Sequence, residues 1–310
     1  MALTADAIKA KAPAFGFDLC GIAPAEPFDA LNRLTEWLAR GHAAEMHWLE
    51  RSITKRLDPR EVLAGARSIV SCAVIYNTAE PYSATLPEGH ASIARYAWGD
   101  DYHVVIERRL EAFEQWLREE AGGDCVTRRY VDTGPISEKA VAARAGLGWV
   151  GKNTCLINQQ LGSWLFLGEI LTTLPLDPDQ PAADRCGTCT LCIDACPTAA
   201  ITEPYQLDAR KCLSYLTIEH RGDLPEAAQA SIGSHVYGCD ICQDVCPWNR
   251  RAAVSTDPAW QPREAWRPVP VAEMAARTDD ELRSAMKGSA MKRAGVKGLR
   301  RNLDASLRHV

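Results

Sequence analysis

Apolar runs without alternation punctuate this chain. Ser68–Tyr76 (SIVSCAVIY) is near-continuously apolar and β-branched, which predicts a strand buried on both faces. Cys125–Val131 and Ser163–Thr172 (SWLFLGEILT) predict two more strands, and GFDLCGIAPA is a shorter strand-like run broken by Gly and Pro. Between these runs the period lengthens to that of helices. Residues 4–15 predict a first helix with Thr4 as cap. Asp29 caps a second, running through Arg40 with Leu31, Leu34 and Leu38 on one face and Gly41 as its stop. Asp100 or Asp101 caps a third, on which Ile106, Leu110, Phe113 and Leu117 share a face before Gly122–Gly123. Residues 77–91 read as a polar Pro/Gly loop. The composition shifts at LPLDPDQPAADR, residues 174–185, which marks a domain boundary. After residue 256 the pattern is helical. The expected division is 1–175, 176–255 and 256–310, with no internal repeat.

Composition changes the picture little. With 310 residues, 46% of them hydrophobic and 24% charged, the chain reads as a globular protein with room for two domains. MALTADAIKAKAPAFGF has no long apolar run and no twin-arginine pair, so neither an export signal nor a membrane anchor is expected. Twelve Cys without export point to the cytoplasm. The net charge of −5 argues against nonspecific nucleic-acid binding but leaves room for a local basic face. Nothing calls for an oligomer, and a monomer is expected.

The Cys spacing carries the chemistry. Cys186, Cys189, Cys192, Cys196 and Pro197 form Cys-x2-Cys-x2-Cys-x3-Cys-Pro, the ferredoxin spacing that holds iron–sulfur cubanes. In two-cluster proteins the fourth thiolate crosses to the other cluster. A second run, Cys239, Cys242, Cys246 and Pro247, supplies the partner, and Cys212 stands in for its missing first Cys. The crossover assigns Cys186, Cys189, Cys192 and Cys246 to one 4Fe–4S cluster and Cys196, Cys212, Cys239 and Cys242 to the other. Zinc favours paired Cys-x2-Cys knuckles instead, and a disulfide framework belongs to small secreted chains. Cys20, Cys72, Cys125 and Cys155 are expected to pack as small apolar residues. His42, His47, His220 and His235 read as non-ligands. Asp208 is placed to cap a short helix carrying Cys212, Ser214 and Tyr215.

Asp132 stands at a strand end before the Thr133–Gly134–Pro135 turn, and Ser137 can cap the helix beyond it. A carboxylate there is held rigidly beside an open loop, which suits chemistry; Asp is equally a favoured turn residue. Gly146, Gly148 and Gly151 precede Lys152–Asn153 and would let the backbone approach a large ligand. Residues 285–301 carry Lys287, Lys292, Arg293, Lys297, Arg300 and Arg301 and no acid. A basic run in an acidic chain points to a polyanion such as RNA, against the plainer reading of a solvated helix face.

Together, YGCDICQDVCPWN, VDTGPISEKAVAARAGLGWVGKN, RYAWGDDYH and KRAGVKGLRRN resemble the epoxyqueuosine reductase family, over residues 5 to 303. The resemblance implies an α+β fold: a cobalamin-binding domain like that of reductive dehalogenases, then a ferredoxin-like two-cluster domain and a helical tail. It implies two 4Fe–4S clusters passing electrons to cobalamin, and reduction of epoxyqueuosine to queuosine at the wobble position of tRNA. Asp132 falls on the family's proton donor, whose carboxyl is expected to be raised by burial. Cobalamin contacts by motif match are Arg56, Tyr96, Asp132, Lys152, Asn153, Ser163, Ser214 and Asp240. Arg221 is a phosphate contact, joined by Lys292, Arg293, Lys297, Arg300 and Arg301. Many family members continue into HEAT-type repeats, and here the basic run is expected to carry more of the tRNA surface. The electron donor stays unidentified. The competing readings are a plain two-cluster electron carrier, disfavoured by the large extra domain, a reductive dehalogenase, disfavoured by the missing twin-arginine signal, and a cluster-bearing nucleic-acid binder without redox chemistry.

Overall fold

The computed structural model describes residues 3–27, 32–123 and 125–309. Four strands form the central sheet: β1 (Leu19–Pro24), β2 (Ser68–Ile75), β3 (Thr127–Tyr130) and β4 (Leu165–Thr172). Their spatial order is β1-β2-β4-β3, and every neighbouring pair is antiparallel. All of β2 is buried, as its unbroken apolar run requires.

Period-two alternation sends β2 into two cores. Val70, Cys72 and Val74 join Phe166 and Ile170 under the long helix α1 (Tyr102–Ala121), whose Ile106, Leu110, Phe113 and Leu117 are fully buried. Ile69 and Ala73 join Leu171 on the opposite face, under Val141, Ala142 and Ala145 of α2 (Glu138–Arg144) and its end. Asp101 caps α1. The N-terminal helix Ala5–Lys11 is capped by Thr4 as expected and continues as a 3-10 turn, Ala12–Phe15. The second expected helix spans Asn32–Ala39, while Asp29 and Leu31 lie outside the described residues.

The C-terminal stretch does not stand apart as a solvated face. Met274, Leu282, Met286, Met291, Leu299 and Leu303 share one core with Ile93, Trp98, Val236 and Tyr237. The short strands Ser92–Ile93 and His235–Tyr237 pair in parallel beneath them. Burial of that face is what makes helices out of Asp279–Met286 and Gly295–Ser306.

Two sequence expectations change in detail. The side chain of Asp208 bonds Arg210, and Cys212 itself stands at the N-cap of the helix Leu213–Ile218. The glycines before Lys152 serve the chain's own packing. A Cβ on Gly148 would lie 2.2 Å from the Ile157 carbonyl oxygen, and one on Gly151 2.4 Å from the Ile157 side chain.

Candidate active site and cluster pockets

The two Cys-Pro runs fold alike. Leu191–Asp194 and Ile241–Asp244 are single helical turns, carrying Cys192 and Cys242. Cys186, Cys189, Cys192 and Cys246 rim one cavity of about 190 Å³ with Trp248 and Pro247, so the thiol from the far run joins the near three. Cys212 and Cys239 each feel the charge of Cys196, and Cys242 feels both Cys212 and Cys239. Burial, then repulsion from Cys246 and Cys186, pushes the Cys192 thiol up to about 11. Thiols crowded so that burial and mutual repulsion push them up fit a group that supplies positive charge. No group of three or more His, Cys, Asp or Glu among the described residues has the spacing of ligands round one metal ion. Thiols spread round a cavity match a polynuclear cluster, whose irons each take one thiolate.

Residues 151–155 tie both runs to the sheet domain. Lys152 Nζ donates to the carbonyls of Gly187 (2.7 Å) and Cys189 (3.0 Å). Asn153 Nδ2 donates to the Cys242 carbonyl at 3.2 Å. Cys155 is not a mere packing residue. Its thiol bonds the Cys242 thiol, a contact that lowers it to about 6, and it faces the same cleft as Cys212, Cys239 and Cys242. Cys72 behaves as expected, fully buried beside Cys20 with 4.0 Å between sulfurs.

That cleft, of about 530 Å³, is walled by Tyr76, Tyr96, Phe166, Leu165 and Leu167, with Ser214, Asp240 and Gln243 on the cluster side. Asp132 sits on its rim and on the rims of two neighbouring cavities of about 780 Å³ each. Arg56 lines both of those, and Tyr96 lines one of them. Lys152 lies on the cysteine cavity instead. Ser163 is buried in a network, donating to Gln243 Oε1 (2.9 Å) and accepting from Asn249 Nδ2 (2.8 Å). Asp240 accepts the Arg95 N–H at 2.6 Å, and burial raises its carboxyl to about 7.

Asp132 follows β3 with φ +56°, a left-handed conformation that Asp tolerates better than most residues. Arg56 clamps the turn after it, donating to the carbonyls of Gly134 (3.1 Å) and Ile136 (2.8 Å). Asp132 Oδ2 accepts from Tyr102 Oη at 2.8 Å and faces His103 Nε2 at 3.1 Å. The other ring nitrogen of His103 faces Asp101 Oδ1 at 2.8 Å, and Asp101 is also bonded by Lys292. A ring with a carboxylate at each nitrogen donates to both only as imidazolium. Burial opposes that charge, but the bonds to Asp101 and Asp132 outweigh it and hold His103 up to about 9. The Asp132 carboxyl is correspondingly low: burial raises it, and the bonds from His103 and Tyr102 overcome that. The expected raised carboxyl is therefore corrected. The proton at this site rests on His103, beside an ionised Asp132.

The basic run divides. Arg300 donates to the Ala275 carbonyl (2.6 Å) and bonds Asp279 and the Arg277 carbonyl. Arg301 donates to the carbonyls of His220, Gly222 and Leu216, each at 2.7 Å. Arg221 donates to those of Arg293 and Ala294. These three guanidinium groups are committed inside the chain. Lys292, bonded to Asp101, and Arg293, paired with Glu219 at 2.7 and 2.6 Å, line the cavity at Asp132, and Lys297 is exposed.

The model of a 4Fe–4S double cluster binding domain matches residues 185–249, and that of epoxyqueuosine reductase QueG, DUF1730, matches residues 56–133. The epoxyqueuosine reductase of Gloeobacter violaceus is 46% identical over 99% of this chain and 97% of its own length. That of Synechocystis is 46% identical over 93% of this chain and 99% of its own. The chain belongs to the epoxyqueuosine reductase family. A crystal structure of an epoxyqueuosine reductase with an epoxyqueuosine-modified tRNA-Tyr stem loop aligns with a TM-score of 0.90, at 33% identity over 98% of this chain and 80% of that one. The Bacillus subtilis enzyme, solved with its catalytic aspartate loop swung out of the active site, aligns at 0.89, with 33% identity over 98% of this chain and 81% of that one. Family membership sets aside the plain electron carrier, the dehalogenase and the redox-inactive binder. Among the described residues no helix is long and apolar enough to cross a membrane.

Four site residues were missed in the sequence. His103 and Tyr102 stand in DDYH at the start of an amphipathic helix, where a polar cluster was legible as a cap but not as a partner for Asp132. Glu169 is a single acid in an apolar strand, which the sheet register sets opposite Tyr130 near the turn, and Glu138 opens the helix six residues after Asp132, where it reads as an ordinary first-turn acid.

Proposed function

We propose that this chain reduces epoxyqueuosine to queuosine in tRNA, with two 4Fe–4S clusters delivering electrons into the cleft at Asp132. The observation that carries this reading is a shared wall: Asp132 and the thiols of Cys212, Cys239 and Cys242 line one cleft. Residues 1–175 serve as the cobalamin domain, 176–255 as the cluster domain and 256–310 as a basic cap. Cobalamin is larger than the cleft alone, and the two neighbouring cavities that share Asp132 with it add the room a corrinoid needs; aromatic walls and polar groups suit it, with Arg56, Tyr96, Asn153, Ser214 and Asp240 to hold it and Lys152 and Ser163 supporting the loops around it. When bound, it supplies a strongly reducing cobalt centre for breaking an epoxide carbon–oxygen bond.

The chain's own residues manage the protons. An oxide leaves poorly, and protonation as the bond breaks lowers the barrier. Asp132 faces the cleft with its carboxylate ionised, and His103 recharges it from the imidazolium. Asp101 and Lys292 fix the ring so that Nε2 points at Asp132. Tyr102 holds the carboxylate in place. Lys292 and Arg293 at the cavity, and Lys297 on the exposed surface, offer cations to the tRNA backbone. A relative solved with a modified tRNA stem loop supports that assignment.

The test is mass analysis of tRNA nucleosides from cells lacking this protein. Accumulated epoxyqueuosine is expected; queuosine at its normal level in cells without a second reductase would overturn the reading.

A further inference from the structure

Turning an epoxide into an alkene takes two electrons and two protons and releases water. His103 and Asp132 account for one proton. Behind the Asp132 turn lies a second acid store. Glu169 sits in β4 with no solvent exposure, and Ser71, its register partner on β2, reaches its Oε1 at only 3.3 Å. Its Oε2 has no hydrogen-bond donor. Its carboxyl meets that of Glu138, the first residue of α2, and Glu138 Oε1 accepts the Asp132 N–H. Glu138 also lines two of the cavities that Asp132 lines. Two carboxylates both accept and neither donates, so contact between them is stable only with a proton held between them.

We propose that the Glu138–Glu169 pair stores the second proton of the reaction and delivers it through Glu138 to the Asp132 site. This rests on the epoxide-reduction reading above. The first proton passes from His103 through Asp132 to the epoxide oxygen as one carbon–oxygen bond breaks. The second passes from Glu138 to the resulting hydroxyl, which leaves as water as the other bond breaks and the alkene forms. The two electrons come from a low-potential one-electron donor through the clusters. Both stores refill from solvent. Glu138 gives its proton to the reacting oxygen and is a catalytic residue, and Glu169 is a positioning residue that acts through Glu138.

The groups facing the pair agree with this role. Asp132 on the turn and Cys72 on β2 add no positive charge. Arg56, the cation acting on Glu138, has its guanidinium bonded to the carbonyls of Gly134 and Ile136 and to Ser52 Oγ. Burial and then the Asp132 charge raise Glu138 to about 7, and burial and then Glu138 raise Glu169 well above the carboxylate range.

Infrared difference spectroscopy on the cluster-loaded protein without substrate reads the shared proton directly. A protonated-carboxyl C=O band is expected at neutral pH in the native protein; it is expected to weaken in Glu169→Gln, where Glu138 titrates alone, and to change frequency in Glu138→Gln, where the buried Glu169 keeps a proton without its partner. Glu169→Gln keeps the side chain's volume and leaves Glu138 to titrate alone. The alkaline limb of its single-turnover rate is expected to move at least about one pH unit toward acid, with tRNA affinity unchanged. Absence of the band in the native protein overturns the proposal and needs no variant to fold; so does a Glu169→Gln enzyme with the native pH profile. Failure of the native enzyme to reduce epoxyqueuosine while the band is present would instead count against the parent reading.

Discussion

Replacing His103 by Gln separates the proton from the shape of the site. The amide N–H reaches toward Asp132 from the place of Nε2 but carries no titrating proton. In the native chain the imidazole is held up to about 9. At pH 7 such a group is about 99% protonated, whereas a carboxyl left at its ordinary value of about 4 is about 0.1% protonated. The sign follows: the native proton is present below about 9 and lost above it, and the acid left to give the first proton in the variant, Asp132, is present only well below neutrality. The expected loss at pH 7 is about 10²- to 10³-fold in single-turnover rate, within the span of general acid catalysis. The variant's rate should climb about tenfold for each pH unit lowered. The assay is conversion of an epoxyqueuosine-modified stem loop across pH, quantified by nucleoside mass. A His103→Gln enzyme with the native rate at pH 7, or with the native alkaline limb, would refute the reasoning.

Cys246→Ala should remove the cluster of the other run, leaving half the iron with the set built on Cys212, Cys239 and Cys242 intact by electron paramagnetic resonance; loss of that second set instead would contradict the crossover. Cys155→Leu deletes the sulfur beside Cys242 and should shift the midpoint potential of one cluster at unchanged iron content, since polar groups against cluster sulfurs tune the potential. Arg300→Ala removes a half-buried cation from Asp279 and two carbonyls and should destabilise the fold by about 2 kcal/mol in thermal unfolding, with tRNA affinity unaltered. Arg293→Ala, at the cavity mouth, should weaken tRNA binding and flatten its salt dependence, a change absent from Arg300→Ala.

The iron–sulfur centres were legible because their ligands are close in sequence and their spacing is the chemistry. The same is true of Ser68–Tyr76, where an unbroken apolar run has one outcome. Asp132 was legible by its place at a strand end, but its protonation was not. The charge on that carboxyl is set by His103, which lies 29 residues away in sequence and is turned toward it by Asp101. Residues 285–301 show the opposite failure. Composition alone made six cations look equivalent, and tertiary structure spends Arg300 and Arg301 as caps on carbonyl groups while leaving Lys292 and Arg293 at the cavity. Cys155 was indistinguishable in sequence from Cys20 and Cys72, and only the fold carries it to a cluster thiol. The glycines before Lys152 were read as room for a ligand, and the room is filled by Ile157 at Gly148 and Gly151 and by the Gln180 backbone at Gly146.

The most direct measurement is nucleoside mass analysis of a modified tRNA stem loop after incubation with the reconstituted enzyme and a low-potential reductant, with the native chain and Asp132→Asn side by side. The expected result is loss of one oxygen, epoxyqueuosine to queuosine, with the native chain, and no conversion with Asp132→Asn at equal iron, cobalamin and tRNA binding. Conversion by Asp132→Asn at the native rate, or none by a native chain carrying both clusters and cobalamin, would contradict it.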